Sequence, residues 1–262
     1  MSFSPSQTWR LRENVRHGRT RQGLDEFEYD EIDFTGLYMT TPFRIKICGV
    51  KRASDLAWLA DCGADAVGLN FVRTSVRSLK IDAGREMVKQ ANRLGLKTVA
   101  VLMNPTAEEL RKFVSTMPVD FIQLHGDEQP ELLTDLPELA IIKAISWSGR
   151  REEKQLSRQW LDSEIAARGQ LRGFLVDAFA PGVGGGTGRT ARWDLLTPRP
   201  TCFGEIPLLL AGGLTPANVA EAIQATHCVG VDTASGVESS PGCKDESLVG
   251  DFVQSAQQAF AM

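Results

Sequence analysis

The sequence predicts an α/β fold, a (β/α)8 TIM barrel preceded by a polar N-terminal extension. Three observations carry this. Short apolar runs alternate with amphipathic stretches from residue 43 to the C-terminus of the 262-residue chain. That alternation makes eight strand-then-helix units in ~220 residues, which fits a (β/α)8 barrel better than an open doubly wound sheet. The connections after residue 43 are too short to hold a second domain.

Phe43–Cys48 reads as the first strand, with Phe43, Ile45 and Ile47 on one face and Lys46 and Cys48 on the other. Ser54 caps a helix reaching about Cys62, and Ala66–Phe71 is the second strand. A helix from about Asp82 to Leu94, a strand at Lys97–Met103 and a helix at Thr106–Met117 follow. Asp120–Leu124 is the fourth strand, with a short helix near Pro130–Leu136. Ala140–Ile145 precedes one long helix over Glu152–Ala167. The sixth strand, Arg172–Asp177, opens into a Gly-rich loop and a turn near Trp193. Pro207–Ala211 and a helix at Pro216–Ala225 come next, then a last strand at Cys228–Asp232 and a closing helix at about Glu246–Phe260.

Residues 1–42 differ. An Arg-rich stretch, Arg10 to Arg21, is followed by an acidic block from Asp25 to Asp33. The block argues against a transit peptide, and the segment reads as a solvated, partly disordered extension. The barrel domain is therefore expected over residues 43–262. A net charge of −4 argues against a nucleic-acid partner. Runs of ~18 apolar residues are missing, so no membrane span is expected. Five scattered cysteines without paired spacing read as free thiols of a reducing compartment, and a cytoplasmic location is expected. His17 and His227 have no partner spacing, so no metal site is expected.

Alternation along the first strand turns Lys46 and Cys48 inward, with Cys48 at the rim. A buried thiol is either a small hydrophobe or, beside an ammonium, a group whose thiolate is favoured. Asp177 ends an apolar strand ahead of Ala180-Pro181-Gly182-Val183-Gly184-Gly185-Gly186-Thr187-Gly188, an acid beneath a mobile lid or a turn cap before a surface loop. Gly212-Gly213 and Ser235-Gly236 follow strands seven and eight, where glycine lets backbone N–H groups approach a phosphate; tight turns also use glycine there. Thr233 and Ser235 add hydroxyl donors. Arg77, in the loop after strand two, suits a carboxylate. His125 faces inward with Gln123 and reads as a proton shuttle or a hydrogen-bonded structural residue.

Lys46-Ile47-Cys48-Gly49, Gly68-Leu69-Asn70-Phe71 with Ser75 and Arg77, Gln123-Leu124-His125-Gly126, Asp177 with Gly185-Gly186-Thr187-Gly188, Gly212-Gly213-Leu214 with Pro216, and Gly230-Val231-Asp232 with Ser235-Gly236-Val237-Glu238 resemble, in order and spacing, the phosphoribosylanthranilate isomerase family. The resemblance runs from about residue 43 to the C-terminus. It implies an Amadori rearrangement of N-(5-phosphoribosyl)anthranilate to 1-(2-carboxyphenylamino)-1-deoxyribulose 5-phosphate in tryptophan biosynthesis, without cofactor. It implies Asp177 as the general acid on the furanose oxygen and Cys48 as the base at C2′. Arg77 would hold the anthranilate carboxylate. Gly213, Ser235 and Gly236, with Gly186, would hold the phosphate, and Lys46, His125 and Asp232 would line the pocket. Val76 stands where the family has Pro, and Arg192-Trp193-Asp194 where it has Phe-Asp-Trp. A histidine-pathway sugar isomerase would use two aspartates, against which Cys48 speaks. A barrel that only binds a phosphorylated ligand would not need both Cys48 and Asp177.

Overall fold

Eight parallel strands pair in chain order and the last returns to the first, closing a barrel. They are β1 (Ile45–Cys48), β2 (Ala66–Asn70), β3 (Lys97–Leu102), β4 (Phe121–Leu124), β5 (Ile141–Ser146), β6 (Leu171–Asp177), β7 (Leu208–Ala211) and β8 (Gly230–Thr233). The computed structural model describes residues 41–177 and 192–262. The expectations for residues 1–40 and for the Gly-rich loop at 178–191, Gly186 included, lie outside the described residues.

The strand period of two divides the apolar residues between two cores. Outward residues such as Ile45, Ile47 and Leu69 join Leu56, Met87 and Val249 of the surrounding helices in one continuous cluster. Inward residues Ala66, Val99, Ile142, Leu175 and Leu209 fill the barrel's interior. Phe43 departs from expectation: it precedes β1, joins the inner cluster, and lies with its ring 5.8 Å from the Lys46 ammonium.

The helices are α1 (Asp55–Asp61), α2 (Ile81–Arg93), α3 (Ala107–Val114), α4 (Arg151–Leu161), α5 (Glu164–Ala167), α6 (Val219–Thr226) and α7 (Glu246–Phe260). Thr106 and Glu109 form a reciprocal capping box at α3, while Ser54 precedes α1 without a side-chain cap bond. The expected long helix after β5 is two, because the Ser163 hydroxyl accepts from the Ala166 N–H and starts α5 afresh. The segment after β4 forms a 3₁₀ turn at Pro130–Leu133 where a short helix was expected, and the segment after β6 turns at Trp193–Leu196, as expected, and again at Thr201–Phe203. Trp193, in the segment that departs from the family pattern, is buried in the outer core. A hairpin of β9 (Glu238–Ser240) and β10 (Cys243–Lys244), turning at Gly242 with φ 83°, is an addition to the expected elements. All five cysteines are free thiols. Among the described residues no helix is long and apolar enough to cross a membrane.

Candidate active site

The strand period that sends Ile45 and Ile47 outward sends Lys46 and Cys48 inward. Register then selects their neighbours: Lys46 lies opposite Asp232 of β8, and Cys48 opposite Gly68 of β2. A β-carbon at Gly68 would stand 2.7 Å from the Cys48 sulfur and 3.0 Å from Lys46 Cε. Glycine there gives the thiol its room. Lys46 is fully buried, 2.9 Å from Asp232 Oδ1, and its Nζ donates to Gln123 Oε1 at 2.9 Å. Burial works to discharge this lysine, but Asp232 and Cys48 outweigh it and hold its pKa above the ordinary value.

Cys48, Arg77, His125, Asp177, Gly213, Asp232, Ser235 and Gly236 line one cleft of about 420 Å³ at the C-terminal mouth of the barrel. Lys46 sits beneath it. Burial pushes the Cys48 thiol up; Lys46 and Lys244 pull it down, Asp232 adds to the rise, and the result stays above the ordinary thiol value. Lys46 therefore acts in the expected direction but does not outweigh desolvation. His125 Nδ1 lies 2.8 Å from Gln123 Nε2.

Arg77 is held from the side. Its Nε and Nη2 donate to Glu238 at 2.7 and 2.6 Å, and Lys244 Nζ donates to the same carboxylate at 2.8 Å. Lys244 also donates to the Ala234 carbonyl at 2.7 Å, tying the loop after β8 to the arginine. Burial works to raise the Glu238 pKa, yet the bonds from Arg77 and Lys244 prevail and bring it down to about 2. The Val76 carbonyl accepts from Lys51 at 2.9 Å, and the Arg77 N–H donates to Ser75 Oγ at 3.1 Å, so the loop is fixed without the family's proline.

The two Gly-bearing loops interlock. Gly213 has φ 65°, a conformation open to glycine. A β-carbon on Gly236 would collide with the Leu214 carbonyl. Thr233 was expected to offer its hydroxyl to an anion; instead it donates to that same carbonyl at 2.7 Å and locks β8 to the β7 loop. Asn218 shapes the loop from the other side, accepting from the Thr215 N–H at 2.8 Å and donating to the Gly213 carbonyl at 3.1 Å. Among the described residues no group of three or more His, Cys, Asp or Glu side chains is arranged to hold a metal.

Sequence reasoning assigned no part to Glu238 or Lys244. The available signal was a pair of charges among small residues just past strand eight, with Pro241-Gly242 between them as a turn marker.

A family model described as N-(5′-phosphoribosyl)anthranilate isomerase matches residues 45–255. The chain belongs to the N-(5′-phosphoribosyl)anthranilate isomerase family. A relative of that name from Ruegeria sp. is 38% identical over 217 residues, spanning 82% of this chain and 97% of its own. One from Myxococcus xanthus is 38% identical over 214 residues, with 82% and 96% covered. The crystal structure of phosphoribosyl anthranilate isomerase from Thermotoga maritima superposes with a TM-score of 0.69 at 31% identity, covering 82% of this chain and 99% of that one. Another, in complex with reduced 1-(o-carboxyphenylamino)-1-deoxyribulose 5-phosphate, gives 0.67 at 29% identity over 82% and 99%. The enzyme is an isomerase of tryptophan biosynthesis.

Proposed function

We propose that Cys48 and Asp177 are the base and the acid of the isomerisation, working on a phosphosugar–anthranilate substrate held between Arg77 and the loops after β7 and β8. One observation carries the reading: Cys48 and Asp177, 129 residues apart in sequence, line the same cleft as Arg77 and the glycine loops.

Asp177 gives a proton to the furanose oxygen as the C1′–O bond breaks, and the nitrogen lone pair forms the Schiff base. The Cys48 thiolate takes the C2′ proton, and the electron pair moves to the iminium nitrogen, leaving a neutral enolamine. Loss of the C2′ hydroxyl proton and protonation at C1′ give the ketone. One acid and one base suffice for an aldose-to-ketose shift of this kind. Lys46 and Lys244 favour the thiolate that the step requires.

Arg77 receives the anthranilate carboxylate, with Glu238 fixing the plane of its guanidinium. Backbone N–H groups at Gly213, Ser235 and Gly236 receive the phosphate, with Gly186 as a further donor. Residues 43–262 form the catalytic domain. A cytoplasmic location accords with five free thiols, and a net charge of −4 accords with a small-molecule partner and no nucleic acid.

Rescue of a tryptophan auxotroph lacking only this isomerase tests the reading in a cell. The wild type should restore growth, and Cys48→Ser and Asp177→Asn should not. Growth on either variant at equal protein level would remove that residue from the mechanism.

A further inference from the structure

We propose that His125 acts in this site as a neutral hydrogen-bond donor to a sugar oxygen through Nε2–H, its tautomer set by a chain of buried side chains that starts at Lys46. The inference deepens the isomerase reading and rests on it for the substrate.

The chain follows from which groups can donate. An ammonium has donors only. Lys46 Nζ therefore requires an acceptor at Gln123, and the amide oxygen stands 2.9 Å away. That fixes the amide: its NH2 is the end that meets His125 Nδ1, at 2.8 Å. An NH2 group also only donates, so Nδ1 is the acceptor and the imidazole proton resides on Nε2. Asp232, 2.9 Å from Lys46, holds the ammonium charged and so keeps the direction of the chain.

An imidazolium would set N–H against N–H at Gln123. The groups around the ring agree. Desolvation, Lys46 of β1 and Lys143 of β5 work against a second proton; Asp177 of β6 and Asp232 of β8 work for it; the balance lies below the ordinary histidine value. His125 shares the cleft with Cys48 and Asp177. With Nδ1 occupied, Nε2–H is the ring's remaining polar group and can only give a hydrogen bond. The substrate offers hydroxyl oxygens on the sugar and, at the end, the C2′ carbonyl. Both proton transfers then remain with Cys48 and Asp177, and His125 is no shuttle.

The test is the tautomer itself. Two-bond ¹H–¹⁵N correlation on protein labelled at histidine nitrogen reads it directly, and a His125→Gln sample assigns the signal among the chain's three histidines. At pH 7 the Nδ1 resonance should be that of an unprotonated, accepting nitrogen. Gln123→Glu, which presents a carboxylate to Nδ1, should move the proton there. In steady state, His125→Leu should lose roughly 2- to 10-fold in kcat/KM, the net worth of one hydrogen bond. His125→Gln, with an N–H near the same place, should retain more activity than Leu. The limbs of the pH profile should stay where they are in both variants.

An Nδ1–H tautomer or an imidazolium at pH 7 in the wild type overturns the proposal. So does a profile limb that disappears with His125, which would make it an acid or base after all. The labelled spectrum needs no turnover, so it separates this inference from the isomerase reading. An active Cys48→Ser enzyme with the expected tautomer sinks the reading of the reaction and leaves the chain of donors intact. The wrong tautomer beside inactive Cys48 and Asp177 variants sinks only the role of His125.

Discussion

Glu238 joins the two cations beside the cleft. It accepts from both Arg77 and Lys244, and Lys244 is fully enclosed. Glu238→Gln removes the charge that compensates them. Loss of one member of a buried ionic group costs about 3–5 kcal/mol, so denaturant unfolding should show a fall of that order. KM should rise more than kcat falls, because Arg77 loses its orientation while the reacting groups stay in place. The pH dependence has a definite sign. The folded-state value of about 2 lies below an ordinary glutamate, so the contribution is full above roughly pH 4.3 and is lost as pH falls through about 2. A melting temperature indifferent to pH over that window would contradict the network. Cys48 gives a second profile. Its thiol titrates above the ordinary value. A limb of kcat/KM that belongs to Cys48 should therefore lie above about pH 8.5, the ordinary thiol value, and should move or vanish when Cys48 is replaced by a different base. That Cys48 and Asp177 open onto one mouth was legible, because alternation turns Cys48 inward at the end of the first strand and Asp177 ends the sixth. Glu238 was not, because its partner Arg77 is 161 residues away and only the barrel's closure joins them.

At the scale of elements, the loops after β7 and β8 behave as one unit. The Thr233 hydroxyl and the missing Gly236 side chain both bear on the Leu214 carbonyl. Gly236→Val must push the loops apart, and Gly213→Val must abandon a φ of 65°. Either change should raise KM at least tenfold. Millimolar phosphate should raise the melting temperature of the wild type, since a ligand of the folded state stabilises it by mass action; both variants should lose that response. An unresponsive wild type would move the phosphate elsewhere. The strands and long helices were legible from periodicity, and α7 spans Glu246–Phe260 as expected. Shorter pieces were not. Helices and 3₁₀ turns have similar apolar spacing over one turn, which explains Pro130–Leu133. A two-residue strand such as β10 carries no alternation to read. The break between α4 and α5 had a local sign, Ser163 ahead of Glu164-Ile165-Ala166, but the amphipathic pattern runs across it.

At the scale of the whole molecule, the family match begins at residue 45, and the Ruegeria relative is matched over 97% of its own length by 82% of this chain. Deleting residues 1–40 should therefore leave kcat/KM within about threefold, under ~1 kcal/mol of transition-state stabilisation. A hundredfold loss in a folded truncation would place that segment in the chemistry. Barrel closure brings the ends of β1 and β6 to one mouth, where we propose that Cys48 and Asp177 divide the two proton transfers between them. The most direct measurement is kcat of purified, folded Cys48→Ser in D2O, followed by ¹H NMR of substrate and product. A hydroxyl barely ionises near neutral pH, so kcat should fall at least ~10²–10⁴-fold, and the C2′ proton of the substrate should persist while the wild type delivers solvent deuterium to C1′ of the product. A Cys48→Ser enzyme that turns over at the wild-type rate, with the same deuterium at C1′, would return Cys48 to a packed thiol and leave the barrel without its base.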